Sequence, residues 1–297
     1  MLQITADMFS GRPNPTLAIE AQEARNLLRD IARNPSIIAA VDEGYQGLGY
    51  RGLIVEAVID NIAGNYGLPP SFRVAHTAHP TGQEIGERVF DLMRRAQVID
   101  ERLHSFGIQG LQELGSREEA TEADQSAPPA APVAPEAARP EAVTAAAVTC
   151  WIELGRFNPG FWNDPAHIRR NNCYNYASNR RTDTFAQPGR ATGHEAQAMA
   201  CADVTAAALS DGLHHRFHCF PDSEKPRWLM ALVVAPGYDY HWYRKQQEGF
   251  WGHKPGSTPA RNVDNNGAIV WNPETAARLP YTDFCGYFYA CRSQRIN

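Results

Sequence analysis

The sequence predicts an α+β protein made of two folded units joined by an extended spacer. Three observations carry that reading. Residues 1–116 mix alternating apolar runs with apolar residues at helical spacing. Residues 117–148 are dominated by Ala, Pro and Glu and contain no aromatic residue. Beyond Gly212 the pattern turns to short strands separated by turn-forming residues.

In the first unit, LQITADMF alternates as a strand, GRPNP is a turn, and TLAIE returns as a second strand. Ala24, Leu27, Leu28 and Ile31 recur at helical spacing. GLIVEAVI and SFRVAHT are further strands. Ile85, Val89, Leu92, Met93 and Val98 predict a long amphipathic helix from about Gln83. A two-layer sheet with helices on one face accommodates these elements. No catalytic constellation occurs here. His76 and His79 stand alone near turns and read as surface or capping residues, so 1–116 is expected to be a recognition or scaffold domain whose partner protein the sequence does not name. Repeated Ala-Pro steps make 117–148 a semi-rigid linker. The turn FSGRPNP at 9–15 is echoed by LGRFNPG at 154–160, a weak repeat.

The second unit, 149–297, opens with WIELGRF, expected as a strand, and a helix is expected to begin near Cys173. Residues 195–211 read as an Ala-rich helix with Met199, Ala202, Ala206 and Leu209 on one stripe and Gly212 as its stop. LHHRFHCF, RWLMALVVA, YHWYRKQ, GFWGH and FCGYFYAC are expected strands of an antiparallel sheet.

The chain has 297 residues and a formal charge of -5, which gives no reason to expect nucleic acid or an anionic membrane as partner. No run approaches the roughly 18 apolar residues of a membrane span. Asp7 interrupts the N-terminal apolar stretch, so a secretory signal is not expected, and the protein is expected to be cytoplasmic or released without a conventional signal peptide. All six cysteines, at 150, 173, 201, 219, 285 and 291, lie in the second half. In a reducing compartment most would be buried thiols, Cys285 and Cys291 among them; after export these two could pair instead.

Cys173 stands apart from the other five. Asn171 and Asn172 precede it and suit a helix N-cap, which would set the sulfur in the first turn, where unpaired N–H groups favour a thiolate and an oxyanion. Asn172 and the Cys173 N–H are the expected oxyanion donors. His241 opens an expected strand and supplies a base. His253 follows one short hairpin later, where adjacent antiparallel strands would place the two rings side by side. Nucleophile, base and orienting group then share the logic of a catalytic triad. Asp264 is a substitute for the orienting group. Tyr174, Trp242 and Trp251 could wall a substrate groove. His214, His215, His218 and Cys219 form a second grouping, but one strand offers only two ligands per face where zinc takes about four. No metal and no cofactor are expected.

NNCYNYASNRR, DYHWYR and GFWGHKPG, in that order, resemble the cysteine, histidine and third-residue motifs of the papain-like thiol hydrolases of the NlpC and CHAP type. The resemblance runs from Asn171 onward and leaves the first unit untouched. It implies a papain-like domain with helices packed on an antiparallel sheet, a cysteine peptidase or amidase, and a peptide or peptidoglycan-like amide as substrate. The family's usual Gly before the His is replaced by Asp239-Tyr240. Two alternatives are a non-enzymatic interaction module, metal-binding through 214–219, and a two-domain toxin or effector.

Overall fold

The structure, a computed structural model, describes residues 1–58, 62–75, 77–124, 151–216 and 218–297. The fold is α+β, with two antiparallel sheets. In the first unit the alternation of LQITAD gives β1 (Leu2–Asp7), which turns through GRPNP into β2 (Thr16–Ile19) and then α1 (Ala21–Ala32). A two-residue β3 (Ile38–Ala39), β4 (Gly52–Ala57) and β5 (Ser71–Val74) complete a sheet of order β2-β1-β4-β5-β3. Helices α2 (Pro80–Arg95) and α3 (Glu101–Asp124) follow. Leu2, Ile4, Leu53, Val55, Phe72 and Val74 point from one sheet face into α1, α2 and α3, so the unit has two layers. His79 caps α2 by accepting from the Thr81 N–H at 3.2 Å, while His76 lies outside the described residues.

Two expectations need correction here. Val98 lies beyond the end of α2. The spacer does not start at 117, because α3 continues through REEATEAD to Asp124; Glu and Ala are strong helix formers, and a helix already nucleated runs on through them. The remainder of the spacer lies outside the described residues.

The second unit contains a short α4 (Pro159–Trp162), α5 (Cys173–Ala177) and α6 (Cys201–Ser210). Its strands are β6 (His214–His215), β7 (Trp228–Ala235), β8 (Asp239–Lys245), β9 (Trp251–His253) and β10 (Asp283–Ala290), ordered β6-β10-β7-β8-β9. WIELGRF is not a strand: only Glu153 forms an isolated bridge, to Trp228. LHHRFHCF contributes just the two residues of β6. The Ala-rich helix starts at Cys201, not 195, and buries Val204, Ala207 and Ala208 while Ala202 and Ala206 are exposed. Alanine covers every face of that helix, so apolar spacing cannot say which one meets the sheet.

One sheet face packs on α5 and α6 through Met230, Leu232, Val234, Tyr240, Trp242 and Phe288. The other carries Ala231, Val233, Tyr243, Tyr281 and, from the first unit, Leu48. The two units are docked. Phe106 of α3 stacks on Tyr238 with centroids 4.1 Å apart, and the Leu48 N–H donates to Asn265 Oδ1 at 2.8 Å. Cysteine usage also differs from expectation. Cys201 and Cys285 form a disulfide that ties the start of α6 to β10, and Cys219 is disulfide-bonded as well; among the described residues Cys173 and Cys291 are buried free thiols. Sequence spacing could not show this pairing, because 84 residues separate the two partners. No helix among the described residues is long and apolar enough to cross a membrane.

Candidate active site

Cys173 is the first residue of α5. Asn172 is the N-cap: its Oδ1 accepts from the N–H groups of Tyr174 and Asn175, each at 3.1 Å, and Asn175 Oδ1 accepts in return from the Asn172 N–H at 3.2 Å. This reciprocal capping explains why so short a helix forms and why it starts at the cysteine. The sulfur lies 4.0 Å from the Tyr240 carbonyl oxygen of β8. Pairing between β8 and β9 spans only Tyr243–Lys245, so among the described residues no strand lies beside the β9-side edge of β8 at Tyr240–Trp242, and the Cys173 sulfur approaches the Tyr240 carbonyl.

Side chains alternate along β8. Tyr240 and Trp242 point toward α5, whereas His241 shares the opposite face with Tyr243 and Tyr281. His253 of β9 is on that face too. His241 Nε2 and His253 Nδ1 are 2.8 Å apart, and His253 Nε2 is 2.9 Å from the Val263 carbonyl oxygen. These partners fix the tautomers. A carbonyl only accepts, so His253 Nε2 carries its proton. The neutral ring therefore accepts at Nδ1, and His241 Nε2 donates to it. His241 Nδ1 is left as a buried lone pair without a hydrogen-bond partner among the described residues.

Both rings are held neutral. Burial pushes His241 well below the usual histidine range, with His253 and then Arg51 adding to the effect. Burial brings His253 down to about 3, against the Val263 bond. The expected helix-terminus lowering of the cysteine pKa is overridden. Burial, and then the Asp239 carboxylate, push Cys173 well above its ordinary value, although the N–H groups of Trp242 and of Cys173 itself favour the charged sulfur. In this conformation Cys173 is a thiol.

A pH dependence follows. The unfolded rings take up protons near pH 6.5, and the folded rings do not. The unfolded state therefore binds more protons as pH falls below about 6.5, and stability declines with falling pH through both rings, for His253 down toward about pH 3. Urea midpoints measured from pH 8 to 5 should fall on the acid side, with a shallower slope in His253→Gln.

The remaining expected site residues are not in an open groove. Tyr174 is in the core, its hydroxyl donating to Asp211 Oδ2 at 2.9 Å. Trp242 packs between Tyr174 and Phe288, and Trp251 against Tyr287. As wall residues of a groove these three are corrected by their burial, since large aromatic surface is best removed from water inside the sheet packing. Asp264 accepts from the N–H groups of Asn266, Ala268 and Ala277, which makes it the clasp of a turn rather than a partner of His241. No three metal-binding side chains cluster among the described residues, and the disulfide removes Cys219 as a ligand.

Sequence reasoning missed the residues that close the site. The turn after β1 in the first unit reaches the second. Buried Asp239, at the start of β8, accepts from the N–H groups of Ser10, Gly11 and Arg12 at 2.5, 3.2 and 3.0 Å, and from the Tyr281 hydroxyl at 2.5 Å. The Gly11 carbonyl accepts from Asn172 Nδ2 and Gln187 Nε2, both at 2.7 Å, and from the Tyr240 hydroxyl at 3.2 Å. Lys254, following His253, is buried and donates to the Asn171 carbonyl at 2.5 Å. Only the turn itself, FSGRPNP, left a mark in the sequence.

No family model and no solved structure matches the chain. Among curated proteins, the chain is similar to Insoluble matrix shell protein 1 of Ruditapes philippinarum, with 47% identity over 142 residues, covering 48% of this chain and 94% of that protein.

Proposed function

The chain belongs to the family of Insoluble matrix shell protein 1, and within that family we propose that it is a thiol-dependent amide hydrolase or acyl transferase. The observation that carries this reading is the chain His241–His253–Val263, which leaves an oriented, unshared lone pair on His241 Nδ1 in a molecule whose free Cys173 begins a helix against the same strand. A buried polar atom without a partner is costly to keep, and a catalytic role is one reason a fold keeps it.

In this mechanism the sulfur leaves the Tyr240 carbonyl and gives its proton to His241 Nδ1. The thiolate adds to an amide carbonyl carbon. The tetrahedral intermediate collapses, the C–N bond breaks, and the departing amine takes the proton from His241 Nδ1. Water activated at Nδ1, or a second amine, then cleaves the thioester and restores the thiol. His253 Nδ1 holds the His241 Nε2–H throughout, which keeps Nδ1 the acceptor. By resemblance the substrate is a peptide or peptidoglycan-type amide. The disulfides favour an oxidising compartment over the cytoplasm. The test is release of amine from peptide amides by the full chain, and its loss in Cys173→Ala; equal turnover by both would end the proposal.

The relative's name favours a second reading, that of a disulfide-tied, non-enzymatic component of an insoluble matrix. It predicts no turnover under any condition, together with retention of the chain in the sedimented matrix fraction.

A further inference from the structure

The geometry points to a peptide-binding cradle, formed by Asn172, Gln187, Asp239 and Tyr240, that the chain's own Ser10–Gly11–Arg12 turn fills as a built-in pseudosubstrate. The turn holds Cys173 shut, and the cradle takes in its place a glycine-containing peptide. This inference rests on the reading of Cys173 as nucleophile.

Three features distinguish the cradle from an ordinary contact between domains. First, it grips backbone rather than side chains. One carboxylate takes three consecutive amide N–H groups, as it would from any peptide in that turn conformation. Second, two amide donors, Asn172 Nδ2 and Gln187 Nε2, converge on the single Gly11 carbonyl oxygen and match its two lone pairs, while the one proton of the Tyr240 hydroxyl is shared between this oxygen and the nearer Gln187 Oε1. A pair of fixed amide donors suits an oxygen that acquires negative charge, and one of them belongs to Asn172, the residue bonded to Cys173. Third, the fit selects glycine. A Cβ on Gly11 would lie 2.4 to 2.7 Å from Tyr240 ring carbons, and that ring is buried with its hydroxyl donating to Gln187 Oε1 at 3.0 Å.

The turn is preformed for this role. Asn14 Oδ1 accepts from the N–H groups of Met8 and Phe9, Arg51 holds the Phe9 carbonyl at 2.7 Å, and the Gly256 N–H donates to the Ser10 carbonyl at 3.1 Å. Arg12 adds a bond to the Tyr238 carbonyl at 2.8 Å. A preorganised ligand on the same chain binds without loss of translational freedom, so an external peptide must be abundant, or the turn displaced, before the site opens.

The test uses the full chain carrying Gly11→Val, with iodoacetamide as probe and peptide mapping of Cys173 and Cys291, the two free thiols among the described residues. Opening the latch should raise the alkylation rate of Cys173 at least about 10-fold while leaving Cys291 unchanged. A synthetic peptide of residues 8–15 should slow Cys173 labelling again, and the same peptide with Val for Gly should not. Unchanged labelling of Cys173 overturns the inference. So does a rise shared equally by Cys291 that the peptide does not reverse, because that signals general loosening. The labelling reads access alone. If it rises but no amide is turned over, the latch stands and the hydrolase falls; if Cys173-dependent turnover occurs and Gly11→Val changes nothing, the latch falls and the hydrolase stands.

Discussion

Cys173→Ala is expected to lower amide turnover by about three orders of magnitude or more, because it removes the proposed nucleophile, and Cys291 is the one other free thiol among the described residues. Cys291 cannot substitute: it lies past the end of β10, with its sulfur 3.3 Å from the Gly212 carbonyl. His241→Ala should cost as much as the loss of the nucleophile, since nucleophile and base act as one unit. For the same reason the double variant should be no slower than either single one. His253→Ala should cost less, by about a hundredfold, because it removes the group that fixes the His241 tautomer and leaves the base in place. Steady-state assays of the four variants check this grading. Additive losses would show that the residues do not work together.

Asp7→Ala is expected to destabilise the fold by about 3–5 kcal/mol, enough to unfold the first unit in mild urea. Asp7 is fully buried at the end of β1 between two buried guanidinium groups, Arg51 at 2.6 Å and Arg73 at 2.9 Å. Burial alone would raise its pKa, but the two arginines outweigh burial and hold the carboxyl well below the usual range. Deleting it strands two charges without a counterion. Because the folded value is depressed, the stabilisation is complete above about pH 4, the unfolded value, and is lost as pH falls further. Urea midpoints against pH should therefore drop on the acid side in the wild type, and this limb should flatten in Asp7→Asn. The same substitution bears on the site, since Asp7 Oδ1 also accepts from Asn14 Nδ2, which braces the 9–15 turn.

The sequence was most legible where one local rule decided the outcome. The alternation of LQITAD sufficed for β1 and the unbroken apolar run WLMALVVA for β7, and Asn172 marked the start of α5. The twelve-residue spacing of His241 and His253 suited two neighbouring strands, and His241 Nε2 lies 2.8 Å from His253 Nδ1. Illegible features depended on distant partners. Nothing near Asp239 reveals that it binds amides more than two hundred residues earlier in the chain. The Cys201–Cys285 bond joins a helix to a strand across the sheet, and no spacing rule anticipates it. The helix end at Asp124 was hidden because Glu and Ala serve both helices and spacers. Burial of Cys173 was hidden for the same kind of reason. A polar approach such as RRNN reads as surface, yet Asn171 and Asn172 are buried because their side chains are fully occupied by hydrogen bonds.

The most direct test of the account is to trap the covalent intermediate. The Gly11→Val chain is mixed with a peptide amide, quenched in acid within one turnover, and mapped by mass spectrometry. The account predicts the acyl group as a hydroxylamine-sensitive thioester on Cys173, absent from Cys173→Ala and strongly reduced in His241→Ala. Turnover without an adduct on Cys173, or an adduct confined to Cys291, would contradict it.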